Sequence, residues 1–451
     1  PSRQVDAEMG GARKGTEPSR WYRLAITAAT AAGRCGAIID DKLRSGIAGR
    51  RGLLQRMAAW GSTHRDSRRS LVWFHAPSVG EGLQTRPVIE RLRAERPDWQ
   101  IVYTYFSPSA APFARQLAVD YADYLPFDRS GDVVQALDAL APTALVYGKL
   151  DVWPELTLAA HRRGVRTGLV AATVAATSSR LSWPVRGWSA PAYAALDRVG
   201  AISPADAERI EQLGARHAAI SVTGDTRYDS VTERAARLDR ARQPFAALVP
   251  GDWTFTIVAG STWPSDDGVL LPAFANFVRR DPAARARLVL VPHEPTAAHL
   301  AQLDAAARSA ALPRPVRTSS GLELTGASVI VVDQVGMLAD LYALAQVAYV
   351  GGGYRRAGLH SVLEPAVWGV PVSVGPRWGS SRDAGLLIGR GAALPLPRDG
   401  REALTRQWQS WRSDPTARDR AGRAAAGVVQ EGTGAAERTT ALVRLLVEEA
   451  G

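Results

Sequence analysis

Short apolar runs of strand length recur along this chain, each followed by helix-like text and a turn, and the pattern occurs twice. From Leu71 the runs LVWFHA (71–76), IVYTYF (101–106), ALVYG (144–148), VRTGLVAA (165–172) and RVGAIS (198–203) alternate with helical text. The helical stretches fall over 81–96, near 110–119, and from Trp153 to Gly164. Strands separated by helices of about 10–15 residues read as βαβ units, that is, a parallel sheet with helices on both faces. After a loop near 235–252 the same text restarts as FTIVAGS (255–261), RLVLVPH (287–293), ASVIVVD (327–333), VAYVGGG (347–353) and PVSVGP (371–376). The prediction is an α/β protein of two Rossmann-like, doubly wound domains, joined by a Pro-containing loop near Gln243-Pro244. Ligands in such sheets bind beyond the carboxyl ends of the strands, so the expected site is the cleft between the two domains.

The length of 451 residues suits two domains, and 46% hydrophobic with 22% charged residues supplies material for two cores. We expect a basic arm over 1–70, a first domain over 71–240 and a second over 241–451 with C-terminal helices. The chain opens at Pro1, with Met9 as an alternative start. Cys35 is the single cysteine, which excludes a disulfide framework and a cysteine-rich metal site. The net charge of +11 is unevenly placed: residues 1–70 hold 14 Lys and Arg against 6 Asp and Glu, and the remainder is nearly neutral. Such an arm points to an anionic surface, membrane or nucleic acid. The text from Trp21, WYRLAITAATAAGRCGAII, reads as a helix whose longest uncharged run, Leu24 to Gly33, is ten residues. A spanning helix needs about 20, so the expectation is a helix lying in a membrane interface, or one packed on the first domain. Of the 55 basic residues only Lys14, Lys42 and Lys149 are lysines, so Lys149, in the body of the chain, invites a specific role.

Four constellations end predicted strands. In His75-Ala-Pro-Ser78-Val-Gly80-Glu81-Gly82, Glu81 opens a helix, where an acid complements the macrodipole or, facing the cleft, acts as a general base. Lys149-Leu150-Asp151-Val152-Trp153-Pro154 follows another strand, with Lys149 and Asp151 at the sheet edge either as a salt bridge or as site residues. Gly224-Asp225-Thr226-Arg227 offers a guanidinium to an anion. The richest is Gly351-Gly352-Gly353 followed by Gly358-Leu-His360-Ser361-Val362-Leu363-Glu364-Pro365. Its glycines let backbone amides approach a phosphate, Ser361 is placed to cap the next helix, and Glu364 to accept from ribose hydroxyls. A plain strand-to-helix connection is the alternative. Gly260-Ser261-Thr262-Trp263 and Pro292-His293-Glu294-Pro295 end neighbouring strands and are expected to face the same pocket.

Taken in order, HAPSVGEG, YLPFD, KLDVWPEL, TGDTRYD, GSTW, VPHEP, VDQVGMLADLY, GGGYRRAGLHSVLEPA and GVPVSVGP resemble the 3-deoxy-D-manno-octulosonic acid (Kdo) transferases over roughly 71–430. The resemblance implies a GT-B fold and transfer of Kdo from CMP-Kdo to a lipid A precursor, lipid IVA, in lipopolysaccharide assembly. It implies Glu81 as catalytic base. It places CMP-Kdo against Pro292 and His293, against Val335, Gly336 and Met337, and against Ser361, Val362, Leu363 and Glu364. With Ser261, Thr262, Gly352, Gly353 and His360 these form the expected donor set; Lys149, Asp151 and Arg227 join Glu81 as catalytic candidates. Ser78, Gly80, Arg86, Arg50 and Arg51 are the acceptor candidates. Many members carry Glu-Thr-Glu where this chain has Lys149-Leu150-Asp151, and a Lys where it has Arg227, so the Lys-x-acid-x-Trp form looks like a branch of the family. No cofactor and no metal is expected, and the implied location is the cytoplasmic face of a bacterial inner membrane. The competing readings are a GT-B enzyme acting on a UDP-sugar and a nucleic-acid-binding protein, the latter against the neutral body of the chain.

Overall fold

The computed structural model describes residues 17–36, 40–239, 245–249 and 251–449. The alternative start at Met9 and the joint at Gln243-Pro244 lie outside the described residues. The chain divides into two compact units, one running to Asp229 and completed by the residues from Gly434 onward, the other formed by Ser230–Thr433.

The first unit is built on strands β1 (Leu71–His75), β2 (Gln100–Tyr105), β3 (Tyr121–Tyr124), β4 (Ala144–Gly148), β5 (Arg166–Ala172), β6 (Arg198–Ala201) and β7 (Ile220–Val222). They pair in the order β3-β2-β1-β4-β5-β6-β7, every pair parallel. The direction of winding reverses between β1 and β4, which makes the gap beyond their carboxyl ends the switch point where ligands bind. Every residue of β1, β2 and β4 is buried, as expected of central strands covered by helices on both faces.

The second unit repeats the plan with β8 (Phe255–Thr262), β9 (Ala286–Pro292), β10 (Val316–Arg317), β11 (Val329–Val331), β12 (Val347–Val350), β13 (Val372–Val374) and β14 (Ala393–Pro395). The order is β10-β11-β9-β8-β12-β13-β14, again all parallel, and the switch point lies between β8 and β12. Phe255, Phe274, Phe277 and Trp408 fill its core beside the sheet.

The runs read from sequence are the inner strands of both sheets. The strands not read, β3, β7, β10 and β14, are the four sheet margins. A margin strand is short and only half covered, as the mixed burial of β3, β7 and β14 illustrates, so it presents no continuous apolar run.

Two expected boundaries are corrected. The second half of the basic arm is an integral part of the first unit: helices Asp41–Gly49 and Leu53–His64 bring Leu53, Met57 and Trp60 into its core. There the helix backbone lies so close to Ala139 that a Cβ on Gly61 would meet the Ala139 carbonyl oxygen at 2.1 Å. Two arginines of the arm serve this packing, Arg56 paired to Asp123 at 2.7 Å and Arg65 donating to the Leu140 carbonyl at 3.1 Å. The C-terminal helix Ala435–Glu448 returns to the first unit instead of remaining with the second. It buries Leu442, Val443, Leu446 and Val447, and Leu446 lies over Gly168 of β5, where a Cβ would come within 2.9 Å of it.

Leu446→Ala therefore removes a fully buried side chain from the first unit, although it lies in the last helix of the chain. Differential scanning calorimetry is expected to show the first unit destabilised by about 2–5 kcal/mol, with the unfolding of the second unit unchanged.

Candidate active site

Strand β1 ends at His75, and the chain turns through Ala76-Pro77-Ser78 into helix Val79–Glu95, so Glu81 sits in its first turn. Strand β4 ends at Gly148, and Lys149 follows with φ of 65°, a left-handed conformation that a side-chain-bearing residue adopts at a cost. The turn is held by Lys149 N–H donating to the Val170 carbonyl at 2.8 Å. It brings Lys149 Nζ to 3.1 Å from Glu81 Oε1, while Ser78 Oγ donates to Glu81 Oε2. Burial acts to raise the Glu81 carboxyl, but the Ser78 hydroxyl and the Lys149 ammonium outweigh it and hold the group below its ordinary range. The switch point of the first sheet thus holds an ionised carboxylate paired with the one body lysine.

Asp151, the other acid of this turn, faces a different set of partners. It accepts from Trp153 Nε1 at 2.9 Å and from Arg180 Nη2 at 3.3 Å, with His75 Nε2 at 3.4 Å. Arg180 Nη1 and the Tyr193 hydroxyl also donate to the Leu150 carbonyl, at 3.0 and 3.1 Å. Asp151 thereby anchors the loop that carries Lys149. Burial would raise its carboxyl, yet His75, Arg180 and Trp153 together keep it low.

The remaining first-unit candidates are distributed. Arg227 forks onto the buried carboxylate of Asp225, with Nη2 at 2.6 Å. Arg86 pairs with Glu90 one helical turn on at 2.6 Å. Arg50, expected to meet acceptor phosphates, is occupied internally: its guanidinium lies 4.2 Å from the Phe106 ring centroid and donates to the Leu125 and Phe106 carbonyls at 2.9 and 3.1 Å. Burial lowers its pKa to about 10. Arg51 is exposed and Gly80 lies beside Ser78.

In the second unit three loops meet at the switch point. Trp263 after β8, His293 after β9 and His360 after β12 form a ring cluster, with centroids 4.8 Å apart for Trp263–His293 and 4.2 Å for His293–His360. Trp263 Nε1 donates to His360 Nε2 at 3.1 Å, and the Arg355 guanidinium covers the Trp263 ring at 3.6 Å. Burial first, then His293 and Arg355, depress the His360 pKa to about 4, so that ring is neutral at pH 7.

Two buried carboxylates at the start of helix Pro264–Arg280 fasten these loops. Asp266 accepts from Tyr349 OH at 2.7 Å, Gly352 N at 3.0 Å and Trp263 N at 3.0 Å. Asp267 meets His299 Nε2 at 2.6 Å. Neither aspartate nor His299 stood out in the sequence. An acidic first turn is common in helices, and His299 stands just beyond the Pro292–Pro295 motif, where nothing local marks it.

Two of the three amides of the 351–353 loop are engaged within the protein. Gly351 N–H already donates to the Gly260 carbonyl at 2.9 Å and Gly352 N–H to Asp266, so neither amide is turned to a phosphate. A Cβ on Gly351 would meet the Ser261 carbonyl at 2.2 Å, and one on Gly353 the Gly375 nitrogen at 2.6 Å. These glycines let three backbone segments close on one another. Ser261, with φ of 52°, shares the strain of Lys149 at the corresponding edge. Thr262 and Pro292 are buried strand ends. The helix after His360 is a single turn, Leu363–Ala366, whose N-cap is Val362 and not Ser361. Burial pushes the Glu364 carboxyl up; Arg234 opposes this and Asp340 adds to it. Val335 is exposed, Gly336 takes φ of 91°, and Met337 precedes the turn Leu338–Leu341. Arg234 donates to the Gly336 carbonyl at 2.7 Å and pairs with Asp340 at 3.2 Å, which ties this loop down.

Removing the ammonium by Lys149→Met is expected to raise the Glu81 carboxyl pKa. Carboxyl-carbon NMR of the labelled protein checks this, and an unchanged or lowered value would contradict the pairing.

Comparison with known proteins gives this geometry a family. The profile described as 3-deoxy-D-manno-octulosonic-acid transferase (kdotransferase) matches residues 49–230. A 3-deoxy-D-manno-octulosonic acid transferase of Bordetella pertussis is 31% identical over 356 residues, covering 74% of this chain and 77% of the relative. That of Haemophilus influenzae is 23% identical, covering 84% and 87%. Among solved structures, UDP-GlcNAc 2-epimerase from Neisseria meningitidis superposes with a TM-score of 0.61 at 13% identity, covering 84% of this chain and 100% of that one. A glycosyltransferase from Rickettsia africae gives 0.53 at 11%, covering 85% and 98%. These likenesses establish the fold alone, two Rossmann-like units of GT-B type. With the fold, the ordered motifs and the relatives in agreement, the chain belongs to the 3-deoxy-D-manno-octulosonic acid transferase family of glycosyltransferases.

Proposed function

We propose that this Kdo transferase takes Kdo from CMP-Kdo and delivers it to the 6'-hydroxyl of a lipid A precursor, lipid IVA, by a single inverting displacement that needs no metal. The observation that carries the reading is the Glu81–Lys149 pair at the switch point of the first sheet. An ionised carboxylate there is ready to accept a proton, and its position at a strand's carboxyl end is where substrates are met. Glu81 takes the acceptor hydroxyl proton as that oxygen attacks the anomeric carbon of Kdo. The bond from that carbon to the CMP phosphate oxygen breaks, and its electron pair leaves with CMP.

The donor is assigned to the second unit. The Trp263–His293–His360 cluster offers flat ring faces to a pyrimidine, and Glu364 supplies an acceptor for ribose hydroxyls. Positive charge for the departing phosphate comes from Arg355, whose guanidinium lies over the Trp263 ring. Among the described residues no helix is long and apolar enough to cross a membrane. Helix Arg20–Gly36 is fastened by Tyr22 OH donating to Asp128 at 2.6 Å and by Arg23 pairing with Glu155 at 2.8 Å. It turns Trp21 and Leu24 outward, 73% and 61% exposed. That disposition supports a helix resting in the interface of the cytoplasmic leaflet, beside an amphiphilic acceptor.

Glu81→Gln keeps the shape of the side chain and removes its basicity. We expect transfer from CMP-Kdo to lipid IVA, followed by mass spectrometry without added metal, to fall by a factor of about 100 or more. CMP should still protect the variant against thermal unfolding while UDP does not. Retained transfer removes Glu81 from the mechanism, and protection by UDP in place of CMP overturns the donor assignment.

A further inference from the structure

The loop after β9, Pro292-His293-Glu294-Pro295, carries one ring of the cluster, and something must fix it against the loops after β8 and β12. His299, two residues into helix Ala297–Ser309, is 5% exposed. Its Nδ1 lies 3.1 Å from the Glu294 main-chain carbonyl and its Nε2 lies 2.6 Å from Asp267 Oδ2. The Glu294 carbonyl only accepts, so Nδ1 donates to it; burial pushes the Asp267 carboxyl up while its bond to the ring pulls it down, and with Asp267 ionised Nε2 donates as well. Asp267 adjoins Asp266, which holds Trp263 and Gly352. The two aspartates therefore bind all three loops to one helix end, and His299 is the link to the third.

We propose that His299 is a positioning residue of the donor site, an imidazolium that clamps the His293 loop between Glu294 O and Asp267 and must keep its proton for the donor to bind tightly. This rests on the assignment of the donor to the second unit. The titratable groups acting on the ring are Asp267 and, behind it, Asp266 on the helix Pro264–Arg280, and the Glu294 main-chain carbonyl adds a hydrogen bond. The Asp267 hydrogen bond, against some loss from burial, raises the His299 pKa above its ordinary value. A group raised on folding contributes fully below its unfolded pKa, about 6.5, and loses that contribution as pH rises through the folded one. Loss of the proton breaks one of the two bonds and leaves a net negative charge under a loop that receives an anionic ligand. Both effects weaken donor binding in the same direction.

The test combines two measurements on the whole protein. Proton–nitrogen NMR of histidine-labelled protein reads the ring state of His299, and calorimetric titration with CMP reads affinity from about pH 6 to about 9. His299→Gln keeps a donor but no charge, and taking the ratio of affinities at each pH cancels the ionisation of CMP itself. We expect both His299 nitrogens protonated at neutral pH. The wild-type advantage over His299→Gln should fall by up to about tenfold per pH unit as the ring deprotonates, the limiting slope for one linked proton. A singly protonated ring at neutral pH, or an advantage flat across the ring's titration, overturns the proposal.

Should His299→Gln not fold, Asp267→Asn serves. It must lower the ring's midpoint and move the loss of CMP affinity with it, and an unmoved midpoint overturns the clamp. Absence of CMP binding at every pH defeats the donor assignment instead. The clamp is then decided by whether the His293 ring signals shift at the His299 midpoint, as it requires, or ignore it.

Discussion

Because a parallel strand cannot be reached by a tight turn, every connection in both sheets crosses over, and the loops at the carboxyl ends of adjacent strands are thrown together from distant sequence. At the switch points β1–β4 and β8–β12 no crossover covers the gap. Side chains 68 residues apart, Glu81 and Lys149, become partners there. The chain reaches this arrangement at a local cost: Lys149 and Ser261 stand in left-handed backbone conformations at corresponding edges of the two sheets.

The two sites are held by different means. In the first unit the Glu81 carboxylate has a cation beside it, and a second acid, Asp151, steadies the cation's loop through Trp153, His75 and Arg180. In the second unit the rings stack on one another beneath the Arg355 guanidinium. Order comes from buried carboxylates one turn below it, and burial pushes the carboxyls of Asp266 and Asp267 up even as their hydrogen bonds pull them down. Such groups are costly unless every partner is in place, so they fix the three loops in one arrangement. The two devices suit the proposed division of labour, proton transfer on one side and recognition of a nucleotide on the other.

The basic arm illustrates that a count of charges does not say what each charge does. Fourteen cations in the first 70 residues read as an electrostatic handle, yet Arg50, Arg56 and Arg65 cross-link carbonyls, a carboxylate and aromatic faces within the first unit. Arginine's planar fork and long apolar stem make it as fit for tying a helical extension onto a domain as for meeting an anion. Sequence records the charge, and only packing decides its use.

What the sequence determined by itself was the class of fold, the inner strands and the positions of the motifs at their carboxyl ends, because fully covered parallel strands write themselves as unbroken apolar runs. The family likeness was legible in the same way, through many short motifs kept in order. Tertiary structure alone decided the margin strands, the return of the last helix to the first unit, the work of the 351–353 glycines and the roles of Asp266, Asp267 and His299. Each depends on which backbone lies within about 3 Å of which, a relation between residues far apart in the chain that no local pattern of residue types encodes.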